Sequence, residues 1–176
     1  LITYFYYPYM QEIKFKKNLN VETLPPDQSD EDLNVLFENV EYKGIYDLDK
    51  TFSVNSEKAK IQNEKPDIVH MTNMHVILYL GEGRIVNIRS RKGIYNKMTY
   101  DCFFEDNVEA VEGTTKIYSD NLDLLAAENS VKIYNNVIIN DPTGLLYADM
   151  IDYDFETKYF RVSMFDDKSV KMKVLK

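Results

Sequence analysis

Two histidines, one cysteine and 29 carboxylates are the side chains of this 176-residue chain that could react or hold a metal. His70 and His75 lie five apart in one apolar run. A straight strand sends such a pair to opposite faces, away from a shared ion. Asp152 and Asp154 lie two apart at a strand end, a spacing that sets two carboxylates on one face, as glycosidase chemistry requires. They also flank a turn, where Asp is common because its side chain bonds the backbone. Cys102 sits in a strand beside Phe103 without a partnered histidine, so it reads as a small apolar residue rather than a nucleophile. A lone cysteine makes no internal disulfide. The sequence carries no phosphate loop, nucleophile elbow or metal-ligand spacing. No catalytic residue, metal or cofactor is therefore assigned. A carbohydrate-active enzyme using Asp152 or Asp154 stays as a rival reading.

The elements that would position any site read as strands. Fourteen Tyr and nine Phe, with no Trp, six Gly and five Pro, lean toward sheet. The length allows one domain with a sizeable core. A net charge of −8, with no basic run interleaved with aromatics, argues against a nucleic-acid partner.

Strands are expected over residues 36–43, 52–61, 68–80, 85–91, 103–111, 115–118, 145–153 and 159–165, with a last one at 170–174. Val131, Ile133, Val137 and Ile139 mark another. Turns are expected at 47–50, 62–67, 81–83, 96–99, 112–113, 141–144 and 154–158. Gly93 is expected to break its strand, and a backbone role is assigned to it. Residues 122–129 have helical composition but lie between strands, and read as a strand and a turn. In 103–110 a period of two puts Phe104, Asp106, Val108 and Ala110 on one face.

A register recurs. Asn39-Val40, Asn73-Met74, Asn107-Val108 and Asn136-Val137 each lie in or beside a strand. Tyr95 and Tyr153 each have a Thr four residues on, at Thr99 and Thr157. Approximate repeats of a two-strand unit predict stacked hairpins with a shared core, open at both ends. The long apolar strands and seven methionines favour binding of something greasy over catalysis.

Upstream, residues 11–32 read as a linker, with Pro25-Pro26 and the acidic Asp27, Asp30, Glu31 and Asp32. Residues 1–10, LITYFYYPYM, are too short to span a bilayer. They are expected to be the outer end of a membrane anchor, with a loose apolar tail as the rival. Lys14, Lys16 and Lys17 speak against the anchor, since basic residues prefer the cytoplasmic flank. The main domain is placed at 33–176.

Three stretches resemble the LptC and OstA-like family: FSVNSEKAKI at 52–61, IRSRKGIYNKMTYDCFFEDNVEA at 88–110 and GLLYADMIDYDFETKYFRVS at 144–163. Their pattern is a strand with S-x-x-[GA]-x-[YI], a polar turn, an apolar strand, then Asn-Val. In the third stretch Ala148 supplies the small residue and Leu145 stands in the serine position. The resemblance implies an all-β fold, an open, slightly twisted β-jellyroll of stacked antiparallel hairpins, anchored to the inner membrane and lying in the periplasm. It implies that the two sheets splay to hold the acyl chains of lipopolysaccharide. Phe104, Val108, Ile117, Val131, Ile133, Val137, Phe160, Val162 and Met164 are the inward-facing, lipid-binding candidates. The edge at Leu36 and Val40 would meet the inner-membrane Lpt transporter complex. The edge at Val170, Met172 and Val174 would meet an LptA-like bridge protein. Two other roles fit the resemblance less closely: the soluble bridge itself, and a module that joins proteins without carrying lipid.

Overall fold

The computed structural model describes residues 34–46, 50–166 and 169–174. The anchor and linker expectations, on residues 1–10 and 11–32, lie outside them. Eight long strands follow one another as an antiparallel meander: β1 (Asn34–Tyr46), β2 (Lys50–Gln62), β3 (Lys65–Gly81), β4 (Arg84–Asn96), β5 (Cys102–Glu112), β6 (Thr115–Leu125), β7 (Ser130–Asp141) and β8 (Gly144–Asp154). Two short strands, β9 (Phe160–Ser163) and β10 (Lys171–Val174), share the far edge of β8. β9 pairs with the second half of β8 and β10 with the first. Neither pairs with β1, so the sheet stays open. The only helical element among the described residues is a 3-10 turn at Ala126–Glu128, where the ambiguous 122–129 segment leaves β6.

Most strands are longer than expected because each bends once and continues. Asn39, Asn73, Asn107 and Asn136 all have positive φ, between 51° and 56°. Asparagine tolerates this left-handed region better than other residues with a Cβ. The recurring Asn register is thus a line of bends across the odd strands. On the even strands the same line is held by serines. Ser56, Ser90 and Ser119 each donate from Oγ to the carbonyl two residues on, at 3.1, 2.6 and 2.9 Å. These serines pair with, or lie opposite, Val40, Met74 and Val108, and Ala148 occupies the fourth such place opposite Val137. Ala148 therefore stands in the serine position of the repeat, three residues later than the sequence pattern suggested. Leu145 has no part in it.

A bend of one extra residue, as on β3, shifts the side-chain parity, while the two-residue bends at Asp106-Asn107 and Asn135-Asn136 keep it. On β3, Val69 and Met71 are buried before the bend, and Met74, Val76 and Leu78 after it. On β5 both Asp106 and Asn107 take positive φ and are exposed, while Phe104, Val108 and Ala110 point inward. The uninterrupted alternation that placed Asp106 beside Phe104 is corrected accordingly. Gly93 lies inside β4 and does not break it. A Cβ there would sit 2.1 Å from the Met74 sulfur, so its role is to leave room rather than to supply an unusual φ. Pro66 belongs to the opening of β3, where a missing donor is tolerated, and the turn before it is confined to Asn63-Glu64.

The bends fold the sheet into two wings. The first holds residues 34–38, 58–72, 92–105, 121–134, 150–154 and β9. The second holds 40–56, 74–90, 108–119, 137–148 and β10. Their inner faces meet. Tyr42 of the second wing lies 5.3 Å, centroid to centroid, from Tyr95 of the first, and Phe52 lies 5.5 Å from Tyr100. A single buried apolar cluster draws on both wings.

Candidate functional site

Following strand pairing across the inner faces gives continuous apolar rows that run at right angles to the strands. In the first wing, one row is Phe37, Ala59, Met71, Gly93, Phe104, Leu122, Ile133, Ile151 and Val162. Beside it run Val35, Ile61, Val69, Tyr95, Cys102, Leu124, Val131, Tyr153 and Phe160. In the second wing the row is Tyr42, Val54, Val76, Ile88, Ala110, Ile117, Ile139, Leu146 and Met172. None of these positions carries a charge. Period-two alternation builds such rows on each side of the bends, and because the strands bend at one line the rows stay in step.

Exposure grades along the rows. Val54 and Val76 are fully buried, Ile117, Ile139 and Leu146 are partly open, and Met172 is 66% exposed. In the first wing the ends are Val35, 44% exposed, and Phe160, 47% exposed. So the apolar interior reaches both ends of the sheet. Its middle is closed by side chains meeting across it.

The expected inward residues divide by position. Phe104, Val108, Ile133 and Val137 are buried in the middle. Ile117, Val131, Val162 and Met164 are partly buried against the core. Phe160 pairs with Tyr153 on the inward face but is half exposed, with its ring edge on Tyr153. Leu36 and Val40 lie in β1, which pairs only with β2. Met172 and Val174 lie in β10, whereas Val170 precedes that strand and is corrected to a connecting residue. Sequence reading overlooked the lining residues Ile139 and Leu146, although the simple alternation of β7 and β8 near their shared turn would have shown them.

The two carboxylates weighed for chemistry have structural partners. Asp152 accepts from Arg161 Nη2 at 2.9 Å and Nε at 3.1 Å. Asp154 accepts from the Glu156 and Thr157 amides at 2.9 and 2.8 Å, and the Thr157 amide foremost holds its carboxyl below the ordinary range. Asn96 does the same for the Met98 and Thr99 amides, at 2.9 and 3.3 Å. The Tyr-x-x-x-Thr repeat is therefore a pair of equivalent turns. His70 and His75 both face outward, because the Asn73 bend lies between them and undoes the expected split. Five residues of strand still hold them about 15 Å apart. No group of metal-ligating residues occurs among the described residues. Cys102 is 1% exposed, and burial first, then nearby Asp101, pushes its thiol up. It is a core residue.

LptH from Pseudomonas aeruginosa, described as the LptA-homologous periplasmic component of a lipopolysaccharide transport device, superposes with a TM-score of 0.53. The match has 11% identity and covers 71% of this chain and 95% of that one, a likeness of fold. The small subunit of DNA primase, PriS, from Methanocaldococcus jannaschii is 29% identical over 97 residues. That is 51% of this chain but 26% of the primase subunit, so the chain spans about a quarter of that relative and takes no family from it. Residues 64–164, more than half of the sequence, match the family described as lipopolysaccharide-assembly, LptC-related. This chain, an open bent sheet with an apolar interior, belongs to that lipopolysaccharide-assembly, LptC-related family.

Proposed function

We propose that the chain is a membrane-anchored periplasmic module that receives lipopolysaccharide from the inner-membrane transporter, holds its acyl chains between the two wings, and passes them to a soluble bridge protein. The observation that carries this reading is the unbroken apolar row from Val35 in β1 to Phe160 in β9, exposed at both ends. A twelve-carbon acyl chain in water costs about 10 kcal/mol, at roughly 0.8 kcal/mol per methylene. Crossing an aqueous space therefore needs cover. Parting the wings re-exposes core side chains worth roughly 1.5–3 kcal/mol each. A few such residues match one acyl chain, so lipid can replace the contacts between wings at little net cost.

The free edges supply the joints. Edge strands with unpaired backbone groups accept a further strand. The edge at Leu36 and Val40 would join the transporter, and the edge at Met172 and Val174 would join the bridge protein. A bridge role for this chain itself would use the same interior.

Photocrosslinking tests the reading by parity. Probes at Ile117 and Val131 point inward, and probes at the neighbouring Tyr118 and Lys132 point outward. Lipopolysaccharide is expected to label the first pair and not the second. Labelling at none of the four would favour a module that only joins proteins, and equal labelling at all four would remove the interior as the site.

A further inference from the structure

The outward face of the first wing carries a cationic groove that the lipid interior does not use. It has a volume of about 390 Å³. Strand pairing sets Lys58, Thr72 and Lys92 in one outward row, and Lys60, His70 and Ile94 in the next. Leu36 and Ile94 give the groove apolar flanks, and Glu105 lies at its far side. Lys58, Lys60 and Lys92 form no ion pair among the described residues, although Glu38 faces Lys58 and Glu105 faces Lys92 at the two ends of their row. The carboxylates stand only at the ends of that row, so the space bounded by the three ammonium groups in its middle holds no anion of the chain and gains when one sits there. In a chain of net charge −8 the concentration is local and runs against the overall field.

We propose that this groove binds the phosphate of an anionic lipid headgroup. Lysine engages phosphate as a movable point charge. Three lysines, the Thr72 hydroxyl and the His70 ring offer donors around one anion, while Leu36 and Ile94 meet the carbon frame beside it. A bare phosphate would leave those flanks uncovered. The groove lies on the outer face, behind the inner rows, so the assignment stands whether or not acyl chains enter the interior.

Lysine footprinting on the full chain tests it. The protein is acylated with an N-hydroxysuccinimide ester, with vesicles of phosphatidylglycerol or of phosphatidylcholine, and the modified lysines are read by mass spectrometry. Phosphatidylglycerol should slow acylation of Lys58, Lys60 and Lys92 at least about fivefold, the worth of one lysine at an anionic surface. Phosphatidylcholine should leave them unchanged, as should either vesicle for Lys116 on the second wing. Vesicle sedimentation of K60E/K92E should fall by about 25-fold on the same scale. Unprotected lysines, or equal protection by both vesicles, would overturn the proposal. Protection by inorganic phosphate alone, or by a polyglutamate peptide where vesicles give none, would overturn the assignment to lipid.

Discussion

At the scale of single residues, two positions hold the bent sheet together in ways that differ physically. Gly93 lies in the first apolar row, where a Cβ would stand 3.2 Å from the Met74 Cβ and 3.1 Å from the Phe103 carbonyl, besides striking the sulfur. The sulfur can swing aside, but the other two are tied to backbone, and Met74 is 1% exposed. Gly93→Ala is expected to destabilise the chain by about 1–3 kcal/mol, as other overpacked cores do. A lower denaturant midpoint at unchanged slope would show it. Stability equal to the parent would mean that Met74 moves freely. Asn136 is a conformational case instead. Its φ is 56°, and its amide donates to Asp120 at 2.6 Å across the bend line. Asn136→Ala should cost about 1–2 kcal/mol, because alanine keeps the Cβ but lacks the polar side chain that lets asparagine tolerate the left-handed region. Asn136→Gly should recover most of that in the same melts, because it removes the penalty and loses only an exposed hydrogen bond.

At the scale of elements, alternation made the strands and their turns legible, because apolar rows must follow the pleat. The order of the strands as a meander was legible as well. What alternation could not show was the bend. One inserted residue reverses every face beyond it, as between His70 and His75, whereas two, as at Asp106 and Asn107, leave the faces beyond unchanged and turn only the bend itself outward. The sequence did carry a sign of it in the recurring Asn, but an Asn in a strand does not announce a left-handed backbone. The position of β10 was also only half legible. It docks on β8 because Gly144 has no side chain: a Cβ there would lie 2.4 Å from the Lys173 carbonyl. All four β10 residues are exposed, so they add little to the core. Met172→Pro should therefore leave the melting temperature nearly unchanged while weakening association with a bridge protein, since proline removes a strand donor. Undiminished association in a pull-down would count against strand addition at this edge.

At the scale of the whole molecule, the question is whether the wings part. Contacts between them join early strands of the second wing to later strands of the first: Tyr42 of β1 to Tyr95 of β4, and Phe52 of β2 to Tyr100 in the β4–β5 turn. Arg84, at the start of β4, is held charged chiefly by Glu112 and to a lesser degree by the Tyr153 hydroxyl at the end of β8. The wings are thus crossed and offset, and each is continuous with the other only along the line of bends. Opening there would leave every strand ladder intact and would separate only side-chain contacts. A lock tests this. F52C/Y100C places two thiols at neighbouring ring positions opposite the bend line, and a short bis-maleimide can join them while Cys102 stays buried. The joined protein is expected to keep its circular dichroism and lose lipopolysaccharide labelling at Ile117 and Val131 by about tenfold or more, the effect of withholding roughly 1.4 kcal/mol of opening. The same double variant without the reagent should label as the parent does. If the joined protein labels equally well, lipid enters without separation of the wings, and the crossed contacts between them are only packing.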